Sequence, residues 1–255
     1  MNKTVFITGA TSGIGRACAE KFAENKFNII ITGRRAELLE EVKKEIENKY
    51  QTNVTTLCFD VQNKEAVFEA IALLPATTDV DILINNAGLA LGRDAFDEAD
   101  ITDWETMMNT NVNGLLYVSR ALLPFIKKTR GHIINIGSVA GKEVYENGNV
   151  YCASKFAVDA ISQSMRIDLL KHNIKVTSIN PGAVETEFSI VRFKGNEEKA
   201  EAAYKNYIPL TALDIAETIF YCTTLPPHVC INDLTITCLQ QANTSIFNKN
   251  LHVEI

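Results

Sequence analysis

The sequence offers little that could hold a metal or a disulfide framework. Its six cysteines, Cys18, Cys58, Cys152, Cys222, Cys230 and Cys238, include no Cys-x-x-Cys pair. They read as reduced thiols. The four histidines, His132, His172, His228 and His252, stand apart from one another, so none finds a second histidine at ligand spacing. No apolar run is long enough to cross a bilayer. No charged, apolar and small-residue leader precedes the first strand-like run after Met1-Asn2-Lys3, and a cytoplasmic location is expected. The formal charge of −6 is spread along the chain without a basic block, which argues against nucleic acid and membranes as partners. Linkers rich in Pro, Gly or Ser, repeats and low-complexity stretches are also missing. One domain over residues 1–255 is therefore expected, with a weakly specified tail at about 242–255.

What is present is alternation. A composition of 46% apolar and 22% charged residues suits a globular chain. Short β-branched runs at Val5–Thr8, Ile29–Thr32, Val54–Phe59, Asp81–Ile84, His132–Ile136, Ile174–Ile179 and Leu234–Thr237 suit parallel strands buried on both faces. Helical spacing fills the intervals. Arg35–Tyr50 puts Leu38, Leu39, Val42 and Ile46 on one stripe, and longer helices are predicted over Met107–Lys128 and Val150–His172. Strand and helix in turn predict an α/β fold: a doubly wound, mostly parallel sheet of seven strands with helices on both faces, of the Rossmann type.

The first strand ends in Thr8-Gly9-Ala10-Thr11-Ser12-Gly13-Ile14-Gly15, leading into a helix that runs to about Glu24. A phosphate needs close backbone approach, which Cβ atoms obstruct, and a helix N-terminus adds free N–H groups. A tight turn with no ligand is the competing explanation. The second strand closes on Thr32-Gly33-Arg34-Arg35, with no acid before Glu37. In such sites a carboxylate holds the ribose hydroxyls of NAD, whereas arginine accommodates the extra phosphate of NADP. NADP is therefore the expected cofactor, although a solvated helix start would look the same. Asp60-Val61 after the third strand is a candidate for the adenine, or a turn cap. Asn85-Asn86-Ala87-Gly88 closes the fourth strand, where the first Asn could brace the sheet and the Gly open room for the ribose.

Tyr151 and Lys155 are four apart on a predicted helix and share a face. A nearby ammonium stabilises a phenolate and brings tyrosine towards acid–base work near neutral pH. Ser138 ends the preceding strand, where its hydroxyl could polarise a substrate oxygen or simply cap a turn. Cys152 turns away from Tyr151 on the helix and reads as core.

Together the glycine turn, Asn85-Asn86-Ala87-Gly88, Asn111, Ser138, Tyr151-x-x-x-Lys155 and Pro181-Gly182 resemble the short-chain dehydrogenase/reductase family over the whole chain. The resemblance implies Tyr151 as general acid/base and Ser138 as the group orienting the carbonyl or hydroxyl. It implies Lys155 on the nicotinamide ribose, lowering the tyrosine's pKa, and Asn111 holding a helix distortion and a proton-relaying water. It extends the cofactor set to Pro181, Gly182, Val184 and Thr186. It also implies that the two long helices pair across subunits as a homotetramer.

Further segments, among them Asp103-Trp104-Glu105-Thr106-Met107, Thr186-Glu187-Phe188-Ser189 and Val191-Arg192-Phe193-Lys194-Gly195, are similar to NADP-dependent 3-hydroxy acid dehydrogenases, a group that includes serine 3-dehydrogenases and malonic semialdehyde reductases. That likeness implies small substrates such as serine, allo-threonine or 3-hydroxypropanoate and their 3-oxo forms. An acid substrate needs a cation in the pocket. Arg192, on the segment after Pro181-Gly182 where a lid would close, is the candidate to join Ser138 and Tyr151 in substrate binding, although an exposed surface arginine would look the same. Glu185 stands where the similar chains lead one to expect glycine. A reductase of 3-oxoacyl thioesters and a non-catalytic NADP-binding sensor remain alternatives.

Overall fold

The computed structural model describes residues 2–249. Its strands are β1 (Thr4–Thr8), β2 (Asn28–Gly33), β3 (Val54–Cys58), β4 (Ile82–Asn85), β5 (His132–Ile136), β6 (Lys175–Pro181), β7 (Val184–Glu185), β8 (Leu210–Thr211) and β9 (Asp233–Ile236). Between them run α1 (Gly13–Glu24), α2 (Ala36–Tyr50), α3 (Lys64–Ala72), α4 (Ile101–Met108), α5 (Leu115–Thr129), α6 (Asn149–Leu169), α7 (Phe188–Arg192), α8 (Glu197–Ala202) and α9 (Ala212–Thr224).

Seven strands form one sheet in the order β3-β2-β1-β4-β5-β6-β9, every neighbour parallel. The continuous apolar runs explain this, because alternate residues enter two separate cores. Val5, Ile7, Ile29, Ile31, Ile84 and Ile134 pack with Phe22 of α1, Leu39 of α2 and Ile219 of α9. Phe6, Ile30, Leu83 and Ile133 face the other way, onto Ile71 of α3 and Leu122 of α5. Fully burying such a side chain is worth about 1.5–3 kcal/mol. The strand order reverses between β1 and β4, and such a switch point opens a crevice at the carboxyl ends of the strands.

The helix predicted over 107–128 is not continuous. α4 gives way to a π-helical stretch at Asn109–Gly114 before α5 begins. The cause is a side chain. Asn111 Nδ2 donates to Leu89 O at 2.8 Å and to Ser154 Oγ at 3.0 Å, while its Oδ1 accepts from Leu89 N at 2.8 Å. Holding that residue against a loop from β4 widens the turn. The helix predicted over 150–172 ends its α-helical part at Leu169 and closes with a 3-10 turn over Leu170–His172.

α3 and α9 went unpredicted. Both carry side-chain caps: Asn63 Oδ1 accepts from Ala66 N at 3.0 Å, and Thr211 with Asp214 forms a capping box. The short β7–β8 pair also lay below the reach of periodicity. Of the expected weak tail, the described part is anchored. Thr244 N donates to Glu143 Oε1 at 2.9 Å, and Phe247 lies 4.7 Å from Tyr207, ring to ring. Residues 250–255 lie outside the described residues.

Candidate active site

The crevice is a cleft of about 920 Å³ running along the carboxyl edge of the sheet. Its floor is the glycine turn. Gly9 has a φ of 66°, and a Cβ there would come within 3.0 Å of Ala87 Cα. At Gly15 a Cβ would sit 2.3 Å from Gly9 O, so the turn can fold onto α1 only without it. Asn86 Nδ2 fastens the turn, donating to Thr8 O at 2.9 Å and Gly9 O at 3.1 Å. Asn85 points the other way, donating to Asn135 Oδ1 at 2.8 Å and Ser119 Oγ at 2.9 Å, which is the bracing role expected of it.

Thr11, Ser12, Gly13 and Ile14 line the cleft at the start of α1, and Pro181, Gly182, Val184 and Thr186 line it opposite. Arg34 and Arg35 reach it from the end of β2, both exposed. Arg34 Nη1 lies 3.5 Å from Asp60 Oδ2, and Arg35 Nη2 donates to Thr11 Oγ1 at 2.7 Å. Asp60 also caps its own turn, its Oδ1 accepting from Gln62 N at 3.0 Å. Val61, Asn86, Ala87 and Gly88 complete this wall.

The floor that a Cβ would fill, the open N-terminus of α1 and the paired guanidiniums fit a dinucleotide carrying an extra phosphate. Thr32 and Thr110, both on the cleft, have buried hydroxyls without a protein partner.

Beyond the turn, Ser138, Tyr151 and Lys155 converge, all three buried. Lys155 Nζ donates to Ile136 O at 2.9 Å and lies 6.0 Å from the centroid of the Tyr151 ring. A Cβ on Gly88 would come within 3.7 Å of this amine. Burial lowers the Lys155 amine to about 8. Burial likewise pushes the Tyr151 phenol above its ordinary range, with a smaller push from Tyr145; the Ser138 hydroxyl and Arg192 pull it back. The low phenol expected beside a lysine is therefore not what these side chains produce alone, since burial of the ring outweighs every other contribution. Ser138 also caps its turn, Oγ accepting from Ala140 N at 3.1 Å.

Two expected site residues stand behind the cleft instead of on it. Gly15 packs under the turn, and Asn111 is bonded to Leu89 and Ser154. Both shape the site from beneath.

Arg192, at the end of α7, reaches the centre. Its Nη2 donates to Tyr145 Oη at 2.8 Å, and its Cζ lies 5.5 Å from the ring centroids of both Tyr145 and Tyr151. Glu185 is exposed and does not line the cleft, so its carboxylate faces solvent. Sequence reasoning missed Arg93 and Tyr145 on this wall, along with Tyr207 and Phe247. Each comes from a loop or short helix, where no spacing marks it. Among the described residues no group of three or more His, Cys, Asp or Glu could hold a metal, and no helix is long and apolar enough to cross a membrane.

A doubly wound sheet with a glycine turn at its switch point, and a buried Ser–Tyr–Lys cluster beside it, define a dinucleotide-binding α/β enzyme. The family model described as short chain dehydrogenase matches residues 3–197, and the chain belongs to that family. The NADP-dependent 3-hydroxy acid dehydrogenase of Salmonella typhi is 47% identical over 241 residues, covering 93% of this chain and 96% of that one. The sulfoacetaldehyde reductase of Chromohalobacter salexigens is 45% identical over 245 residues, covering 95% and 96%. Among solved structures, the closed form of serine dehydrogenase complexed with NADP+ is 44% identical with a TM-score of 0.89, covering 98% of this chain and 100% of that one.

Proposed function

We propose that the protein transfers a hydride between NADP(H) and the C3 hydroxyl or oxo group of small 3-hydroxy acids. The observation that carries this reading is Arg192, whose guanidinium lies 5.5 Å from the Tyr151 ring. A half-buried cation beside the proton-transfer residue suits an anionic substrate and has little use for a neutral one. The names of the relatives support the same class, and the chain's own Arg34 and Arg35 support NADP over NAD.

Bound NADP+ supplies the hydride acceptor. Tyr151 takes the hydroxyl proton during oxidation and returns one during reduction. Ser138 donates a hydrogen bond to the same substrate oxygen. Lys155 would hold the ribose hydroxyls of the dinucleotide, and its amine stands next to the phenol ring. Asn111 maintains the π-helical stretch that brings Thr110 to the cleft. Unpaired cysteines suit the cytoplasm. Exposed Phe156, Ile167 and Leu170, along α6 and its last turn, suit packing between subunits of a homotetramer.

The purified protein should oxidise serine, allo-threonine or 3-hydroxypropanoate with NADP+, and with NADPH it should leave an acetoacetyl thioester unreduced. Reduction of the thioester without turnover of any 3-hydroxy acid would replace this reading. The sulfonate of sulfoacetaldehyde meets the same requirement for a cation, so that aldehyde belongs in the panel. Arg192→Met should raise KM for acids far more than for neutral alcohols.

A further inference from the structure

Arg192 is not the only guanidinium on the substrate wall. The loop after β4 carries Arg93, and that loop is tied to α7 by its neighbour: Gly92 N donates to Arg192 O at 2.9 Å, and Arg192 Nε donates to Gly92 O at 3.4 Å. The two arginines are thus held close by backbone, wherever their side chains swing. Their side chains meet again on one ring. Arg93 Cζ lies 5.7 Å and Arg192 Cζ 5.5 Å from the centroid of Tyr145. The ring has room because residue 148 is glycine, where a Cβ would come within 2.9 Å of Tyr145.

We propose that Arg93 and Arg192, both resting on Tyr145, form a two-guanidinium clip for the acid group of the substrate, with Tyr145 as its positioning residue. The proposal rests on the reading of Arg192 as an acid-binding residue and extends it. A guanidinium lying against an aromatic ring is attracted by the ring's negative face while its planar fork of N–H donors stays usable. Two forks suit a group with two or three equivalent oxygens, a carboxylate or a sulfonate. Among the described residues Arg93 makes no ion pair and carries no side-chain hydrogen bond. Glu146, exposed on the same wall, opposes an entering anion. A second cation on this wall adds to the attraction that Arg192 provides.

The test compares 3-hydroxypropanoate with its neutral counterpart 1,3-propanediol, at saturating NADP, in Arg93→Met, Arg93→Lys, Tyr145→Phe and Arg192→Met. Arg93 is exposed, so Arg93→Met should raise KM for the acid by about five-fold, with a smaller change in kcat and none in KM for the diol. Arg93→Lys, which keeps the charge, should fall in between. Tyr145→Phe keeps the ring but removes the hydrogen bond to Arg192, and should raise KM for the acid alone. Raising salt from about 0.05 to about 0.5 M should increase KM for the acid in the parent enzyme more than in Arg93→Met, because screening weakens an exposed charge. Where the diol turns over too slowly, competitive inhibition by propanoate against propanamide gives the same comparison.

Equal effects on acid and diol, an effect confined to KM for NADP, or no effect of Arg93→Met would each overturn the clip. If Arg192→Met raises KM for the acid and Arg93→Met does not, the clip falls while the acid-binding reading stands. If Arg192→Met leaves KM for the acid unchanged, that reading falls with it.

Discussion

Lys155 and Tyr151 lie one turn apart on α6, both buried, with the amine 6.0 Å from the centroid of the phenol ring. Each destabilises its own charged form by burial: the phenol is raised and the amine lowered to about 8. Oxidation needs the phenolate, so kcat/KM for a 3-hydroxy acid should climb with pH across the alkaline range. Reduction needs the protonated phenol and should stay level through neutrality. The amine is charged below about 8 and supports the phenolate there; above that its help fades. Lys155→Met should therefore lower kcat/KM for oxidation most strongly below about pH 8, where the amine carries its charge, and least above it. An unchanged pH profile would remove Lys155 from this role.

Arg34 and Arg35 face the cleft with distant carboxylate partners, Asp60 at 3.5 Å and Glu187 at 3.7 Å, and Arg35 also donates to Thr11 Oγ1 at 2.7 Å. A phosphate would bind both more tightly than these exposed carboxylates do. Replacing each by Ser should lower the ratio of catalytic efficiency for NADPH over NADH by about ten-fold or more, since a hydrogen bond to a charged group is worth about 1.5–3 kcal/mol. A parent ratio below one would refute the choice of NADP.

Asn111 is the buried link between the π-helical stretch and the loop after β4. Asn111→Ala leaves Leu89 N and Leu89 O, both buried, without their bonds. The loss should be about 2–4 kcal/mol, lowering Tm by roughly 5–10 °C in a thermal scan. A Tm within about 1 °C of the parent would show that the stretch holds itself.

His132 contributes to acid sensitivity. Burial, with help from Lys175, lowers it to about 3, so it is neutral in the fold. Thr177 Oγ1 donates to Ile231 O and so accepts from His132 Nε2 at 2.7 Å, which fixes the proton on that nitrogen. The unfolded chain binds a proton near 6.5, which the fold refuses. Stability is complete above that value and declines by about 1.4 kcal/mol per pH unit as pH falls from 6.5 towards 3. His132→Gln should lose less stability than the parent between about pH 7.5 and 5, measured by urea midpoints. Equal losses would place the acid sensitivity elsewhere.

The sheet was legible because its strands are unbroken β-branched runs. The glycine turn, Ser138, Tyr151 and Lys155 were legible because their spacing follows strand ends and helix turns. The break at Asn111 could be named only through resemblance, since a π-helical stretch arises from a tertiary contact with Leu89 that no local pattern encodes. Arg93 and Tyr145 were invisible for a related reason. Tyr145 meets Arg93 and Arg192 across gaps of 52 and 47 residues, brought together by segments without periodicity.

Asn85 and Asn86 are adjacent in sequence yet fasten opposite halves of the sheet, one to Asn135 of β5 and the other to Thr8 of β1. They act as a rivet at the seam where the winding changes direction. The gap that receives the nucleotide thus has its width set before anything enters, and little ordering of the seam is left for the binding event to supply.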